Sequence, residues 1–88
     1  MMNRTAADWV SLLSITHKVT ETRLGEGSEI GIRDRDNQLL AVITHPMPGA
    51  KWFVHWSEPP HKVSFRTKKH ALSSAHHRIQ EMEARALT

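Results

Sequence analysis

Near the C-terminus the apolar residues fall at Leu72, Ala75, Ile79, Met82 and Ala86, in alternating steps of three and four. On a helix that spacing gives one apolar stripe with polar residues on the remaining sides. Such a helix draws most of its stability from packing, so the stripe must lie on something flat. Thr67, just upstream, is a good N-cap for it. The constraint passes to the preceding residues, which must supply a sheet. The same spacing also suits a coiled-coil seam, but two heptads are too few to define one.

The upstream chain does read as strands, in short pieces. Thr5 followed by Asp8 resembles a capping box, with Asp in place of the usual Glu. Ala6, Trp9, Val10 and Leu13 then predict a short helix over about residues 6–14, which must dock through Trp9 and Leu13. Ile15 to Leu24 carries five β-branched residues and predicts a strand. Gly25–Ser28 is a turn cluster, and Ile30 and Ile32 alternate with Gly31 and Arg33 in a second strand. Asp34–Asn37 is the next turn, with Asp34 and Asp36 as turn formers. The apolar run Leu39–Ile43 predicts a central strand covered on both faces, or partly by the first helix.

His45-Pro46-Met47-Pro48-Gly49 interrupts the pattern, because two prolines remove donors and fix φ. It is the best candidate for a mobile or partner-binding loop. Trp52, Val54 and Trp56 alternate with Phe53 and His55. Pro59-Pro60 breaks that strand, and Val63 and Phe65 mark a last one. The expected fold is a single α+β domain over residues 1–88: a short N-terminal helix, an antiparallel meander of four to five strands, and a long C-terminal amphipathic helix packed on the sheet.

Eighty-eight residues bury only about 60–65% of their unfolded surface, so stability rests on a thin margin. The chain has no cysteine, which excludes disulfides, thiolate metal sites and thiol nucleophiles. The N-terminus has no signal-peptide pattern, and no apolar run approaches the ~20 residues that span a bilayer. A soluble, cytoplasmic protein with no membrane partner is the expectation. Charge is uneven: residues 1–44 hold five basic and six acidic side chains, and residues 45–88 hold seven and three. The basic half points to an anionic partner, either nucleic acid or an acidic protein surface.

Six of the seven histidines also lie in the basic half. His76 and His77 are adjacent and so point about 100° apart on a helix, and there is no H-x-x-x-H pair to grip a metal. They read as surface groups titrating near neutrality, with no metal and no cofactor. Enzyme signatures are missing as well. The glycines of Leu24–Gly31 do not precede a helix, as a phosphate-binding loop requires, and no G-x-S-x-G elbow occurs.

Two features remain for function. Lys68 and Lys69 open the last helix, where the dipole disfavours cations by about 0.3–1 kcal/mol each. Beside Arg66 and the free amides of a helix start, they form a candidate anion site. The second feature is a sheet face. If Ile30, Ile32, Trp52, Val54, Trp56, Val63 and Phe65 face the last helix, alternation sends Arg33, Arg35, Lys51, Phe53, His55, Lys62, Ser64 and Arg66 to the other side. That basic, partly aromatic face suits phosphates and base edges. The first helix would hide Phe53 if it docked there.

Lys51-Trp52-x-Val54, then Phe65-x-Thr67-Lys68 and Ala71 inside the helix, resembles the arm-type DNA-binding domains of phage integrases. The likeness covers about residues 51–82 and implies three strands backed by one helix, with the opposite sheet face in the major groove. That face would map onto Phe53, His55, Ser64 and Arg66. The extra N-terminal helix and strands depart from the family pattern. The expected function is a small, non-enzymatic nucleic-acid-binding module, with duplex DNA as partner. Its contacts would be Lys62, Arg66, Lys68 and Lys69, with Arg33, Arg35 and His55 beside them. The alternative is a protein-binding effector, such as a phage or mobile-element inhibitor of a host defence complex, using the His45–Ala50 loop and any exposed tryptophan. A homodimer built on the Leu72–Ala86 stripe is compatible with both.

Overall fold

The computed structural model describes residues 4–87. Helix α1 (Ala6–Thr16) leads into five strands, β1 (Lys18–Leu24), β2 (Gly27–Arg33), β3 (Leu39–His45), β4 (Trp52–Trp56) and β5 (His61–Phe65), and helix α2 (Lys68–Ala86) follows. The strands form one antiparallel meander in sequence order, with β1 and β5 as its edges. This is the α+β arrangement that the stripe and the alternation require.

The capping box of α1 is complete. The Thr5 N–H donates to Asp8 Oδ2 at 2.8 Å, and the Asp8 N–H donates to Thr5 Oγ1 at 3.2 Å. These bonds stabilise the ionised carboxylate and hold the Asp8 pKa below its ordinary value. The helix outruns the expected end at residue 14 and takes in Ile15 and Thr16, whose β-branched side chains favour a strand. Ile15 is 71% exposed there, so β-propensity is overridden by what comes next rather than by its own burial. His17 closes the helix with its N–H on Leu13 O, and its buried ring reaches Thr16 Oγ1 and Glu83 Oε1.

The β1–β2 hairpin turns on Gly25 and Glu26, with Gly25 at φ 63°. A positive φ at the first central residue is what a two-residue hairpin needs. The next strand starts at Gly27, inside the expected turn, and here only glycine fits: a Cβ would collide with the backbone oxygens of His45 and Pro46. Asp34 closes the β2–β3 turn, accepting the Gln38 N–H on its carboxylate and the Asn37 N–H on its carbonyl. A register shift at Ile32/Arg33 marks a bulge beside it.

Cross-strand rows define the core. Ile30, Ile43, Val54 and Val63 stand in register across four strands, and Ile32, Ala41, Trp56 and His61 form the next row. Ala71, Leu72, Ala75 and Ile79 of α2 bury themselves on these rows, and Leu13 of α1 joins the same cluster. Met82 is half-buried and Ala86 exposed, so the predicted stripe runs off the sheet after Met82. Helix α1 contacts α2 and β1 but no other strand. Both helices therefore share one face, and the expected cover on both sides of β3 is absent: Val42 is half-exposed on the far side. Val63, at the β5 edge, is 40% exposed because the helix layer is narrower than the sheet. Among the described residues no helix is long and apolar enough to cross a membrane.

Candidate nucleic-acid interface

Two rows make up the open face of the sheet: Thr20, Gly31, Val42, His55 and Lys62, and then Thr22, Glu29, Thr44, Phe53 and Ser64. Strand alternation puts these residues opposite Ile30, Ile43 and Val54. Phe53 is the one phenyl ring in these rows, and on β4 and β5 its neighbours are His55, Lys62 and Ser64. The Lys62 Nζ lies 5.1 Å from its centroid and the His55 ring 6.4 Å away, tilted at 44°. His55 is itself held by a 2.9 Å bond between its Nε2 and Thr44 Oγ1. His55 and Lys62 are cross-strand partners in the row next to Phe53, so the ring has a cation and an anchored imidazole together on one side of it.

Lys51 and Arg66 directly flank β4 and β5, and both are exposed. Carried one residue past Trp52 and Phe65, the alternation places them on the Phe53 side. No carboxylate occurs among the outward-facing residues of β3, β4 and β5; Glu29 on β2, paired with Thr44, is the nearest in register. The positive, partly aromatic area is thus the outer side of the β4–β5 hairpin.

The seven cationic and histidine candidates do not form one surface. His55, Lys62 and Arg66 gather on or beside the β4–β5 face. Arg33 is exposed at the opposite corner, near β1, with its Nη1 donating to Asn37 O at 3.1 Å. Arg35 sits in the β2–β3 turn. Lys68 turns to the helix side, 2.7 Å from Glu21 Oε1 and 5.9 Å from the centre of the Trp52 ring. Lys69 is half-buried in the helix layer, in a hollow shared with Arg4, Asp8 and Trp9. The start of α2 is capped by Thr67, whose hydroxyl accepts the His70 N–H at 3.1 Å.

Sequence reasoning missed Thr44, because the strand was expected to end at Ile43. Thr44 is what orients His55, and its β-branched side chain beside Ile43 was the available signal. Nor are the histidines uniformly solvated. His17 is buried, and His45 stacks on Trp52 at 4.0 Å with 5° between the planes. His76 packs 5.3 Å from Trp9; burial, then the charges of Arg4, His17 and His77, lower its pKa. Among the described residues no three His, Asp or Glu side chains gather closely enough to hold a metal ion. Comparison with protein-family models, curated proteins and solved structures finds no match for this chain.

Proposed function

We propose that this protein is a non-enzymatic nucleic-acid-binding module that meets duplex DNA with the outer face of its β4–β5 hairpin. The observation that carries this reading is Phe53 on the face that no helix covers, next to the cross-strand pair His55 and Lys62, with Lys51 and Arg66 at the hairpin's other end and no acid facing outward from β3 to β5. A major groove about 12 Å wide admits a two-stranded ribbon, whereas a five-stranded sheet is too broad. A basic hairpin at a sheet edge suits that groove. Lys62, Lys51 and Arg66 supply phosphate contacts, and Phe53 and His55 are placed toward base edges. Phe53, His55 and Arg66, with Ser64, are the positions at which the likeness to arm-type integrase domains puts the groove-facing residues.

The protein-binding alternative loses part of its support, since none of the three tryptophans is exposed. Lys68 and Lys69 lie off the proposed surface. Gel-shift titration with short duplexes and single strands at ~50 mM salt, a condition that already favours electrostatic contacts, tests the proposal. A retarded duplex complex that dissolves as salt rises is expected. Absence of any shift would refute nucleic-acid binding.

A further inference from the structure

A second surface lies on the helix side, where α2 stops short of the sheet edge. Trp56, Val63 and Phe65 line a trough of about 700 Å³ whose far wall carries His70, Ser74 and Arg78. Val63 is 40% exposed inside it although it continues the core row of Ile30, Ile43 and Val54. The trough runs beside β5, whose outer edge pairs with no strand among the described residues. A free edge offers a row of backbone donors and acceptors to an extended chain. Edge lysines usually blunt such rows, but the Lys62 ammonium is turned over Phe53 on the opposite face.

Charge selects the occupant. Arg4 and Arg78 sit over the rings of Trp9 and Trp56, at 5.0 and 5.2 Å, and both line the trough. The Nε of Arg78 is buried without an acceptor among the described residues. Glu81 is the one carboxylate in the lining and is held by His77 at 3.2 Å. A second copy of this chain is a poor match, because β5 brings His61 and Lys62 and β1 brings Lys18 and Arg23 against an already basic edge, and the one acid of β1, Glu21, is tied to Lys68.

We infer that the β5 edge accepts an acidic, extended peptide as a sixth strand. Every second side chain of the peptide faces the trough; among these an apolar one lies beside Val63 and acidic ones meet Arg78 and Arg4. This interaction is separate from nucleic-acid binding, which uses the other face of the sheet.

The test is 15N-resolved NMR titration of the full chain with a capped peptide in which every second residue is in turn glutamate and valine, with threonine between them so that both types share one face, and with its lysine-for-glutamate counterpart, at neutral pH. The acidic peptide should shift Val63, Phe65 and Arg78 and slow hydrogen exchange at the β5 amides that point away from β4; the basic one should do neither. Arg78→Gln should weaken binding by about fivefold, the size of one modest charge contact, and Val63→Ser should weaken it by a similar factor through the lost apolar contact. Equal response to both peptides, or none, would overturn the inference. So would β5 amides that are already protected in a self-associated protein, since a second copy would then hold the edge.

Discussion

The ammonium of Lys68 lies 2.7 Å from the carboxylate of Glu21, so the first residue of the last helix is tied to the first strand across the helix-facing side of the sheet. A cation at a helix start opposes the dipole, and read alone it suggests an anion site. Glu21 supplies that anion from within the chain. Both side chains are a third to a half exposed, so water screens the pair, and its coupling should be under about 1 kcal/mol. Urea unfolding of Lys68→Ala, Glu21→Gln and the double variant gives that coupling directly. The account further expects Lys68→Ala to alter DNA affinity less than Lys62→Ala does.

Phe53→Ala should leave the fold in place, since the ring is only half-buried and lies on the face that no helix covers, while weakening duplex binding. Stacking on an aromatic ring contributes about 1–3 kcal/mol per base in single-strand complexes, which sets an upper bound for Phe53 on a duplex. Circular dichroism and fluorescence anisotropy on the same sample separate the two effects. A variant that binds as tightly as the parent would remove Phe53 from the interface.

Lowering of the His76 pKa makes stability depend on pH with a definite sign. The unfolded state, with an ordinary His pKa of ~6.5, takes up protons before the folded state does. The favourable packing of neutral His76 against Trp9 is thus fully present above pH ~6.5 and lost as pH falls through the lowered folded value. Urea midpoints measured across this range should fall more steeply for the parent than for His76→Gln. Parallel curves would show that His76 is not the group responsible.

Gly27→Ala should destabilise by about 1–3 kcal/mol, the usual cost of forcing an atom into a filled site. The added Cβ meets carbonyl oxygens of His45 and Pro46, which are backbone and cannot rotate away. Gly25→Ala instead meets open space at a positive φ and should cost about 1 kcal/mol from backbone strain alone. Thermal melts of the two variants rank these effects.

Much of the architecture was legible in short-range pattern. The stripe from Leu72 to Met82 demanded a flat partner, and period-two alternation at Ile30/Ile32 and Val54/Trp56 showed which face would meet it. Element ends were less legible, since they depend on tertiary partners. Ile15 and Thr16 joined a helix because His17 caps it with both backbone and ring, and β3 ran on to His45 because β2 pairs that far. The candidate site was legible only in part. His55, Lys62 and Arg66 were found by alternation, but no local pattern reveals that Lys68 would meet Glu21, 47 positions earlier in the chain. Whether α1 would hide Phe53 was likewise a question of layer choice, decided by Leu13 joining the α2 side.

The central claim is that duplex DNA is contacted by the open β4–β5 face, and the slope of log affinity against log salt concentration tests it most directly. Each phosphate contact contributes a slope of about −0.9 on B-DNA, so Lys62→Ala with Arg66→Ala should reduce its magnitude by nearly two. Lys68→Ala with Lys69→Ala, on the helix side, should leave the slope close to that of the parent. The account is contradicted if the first pair leaves the slope unchanged, or if the second pair reduces it more than the first.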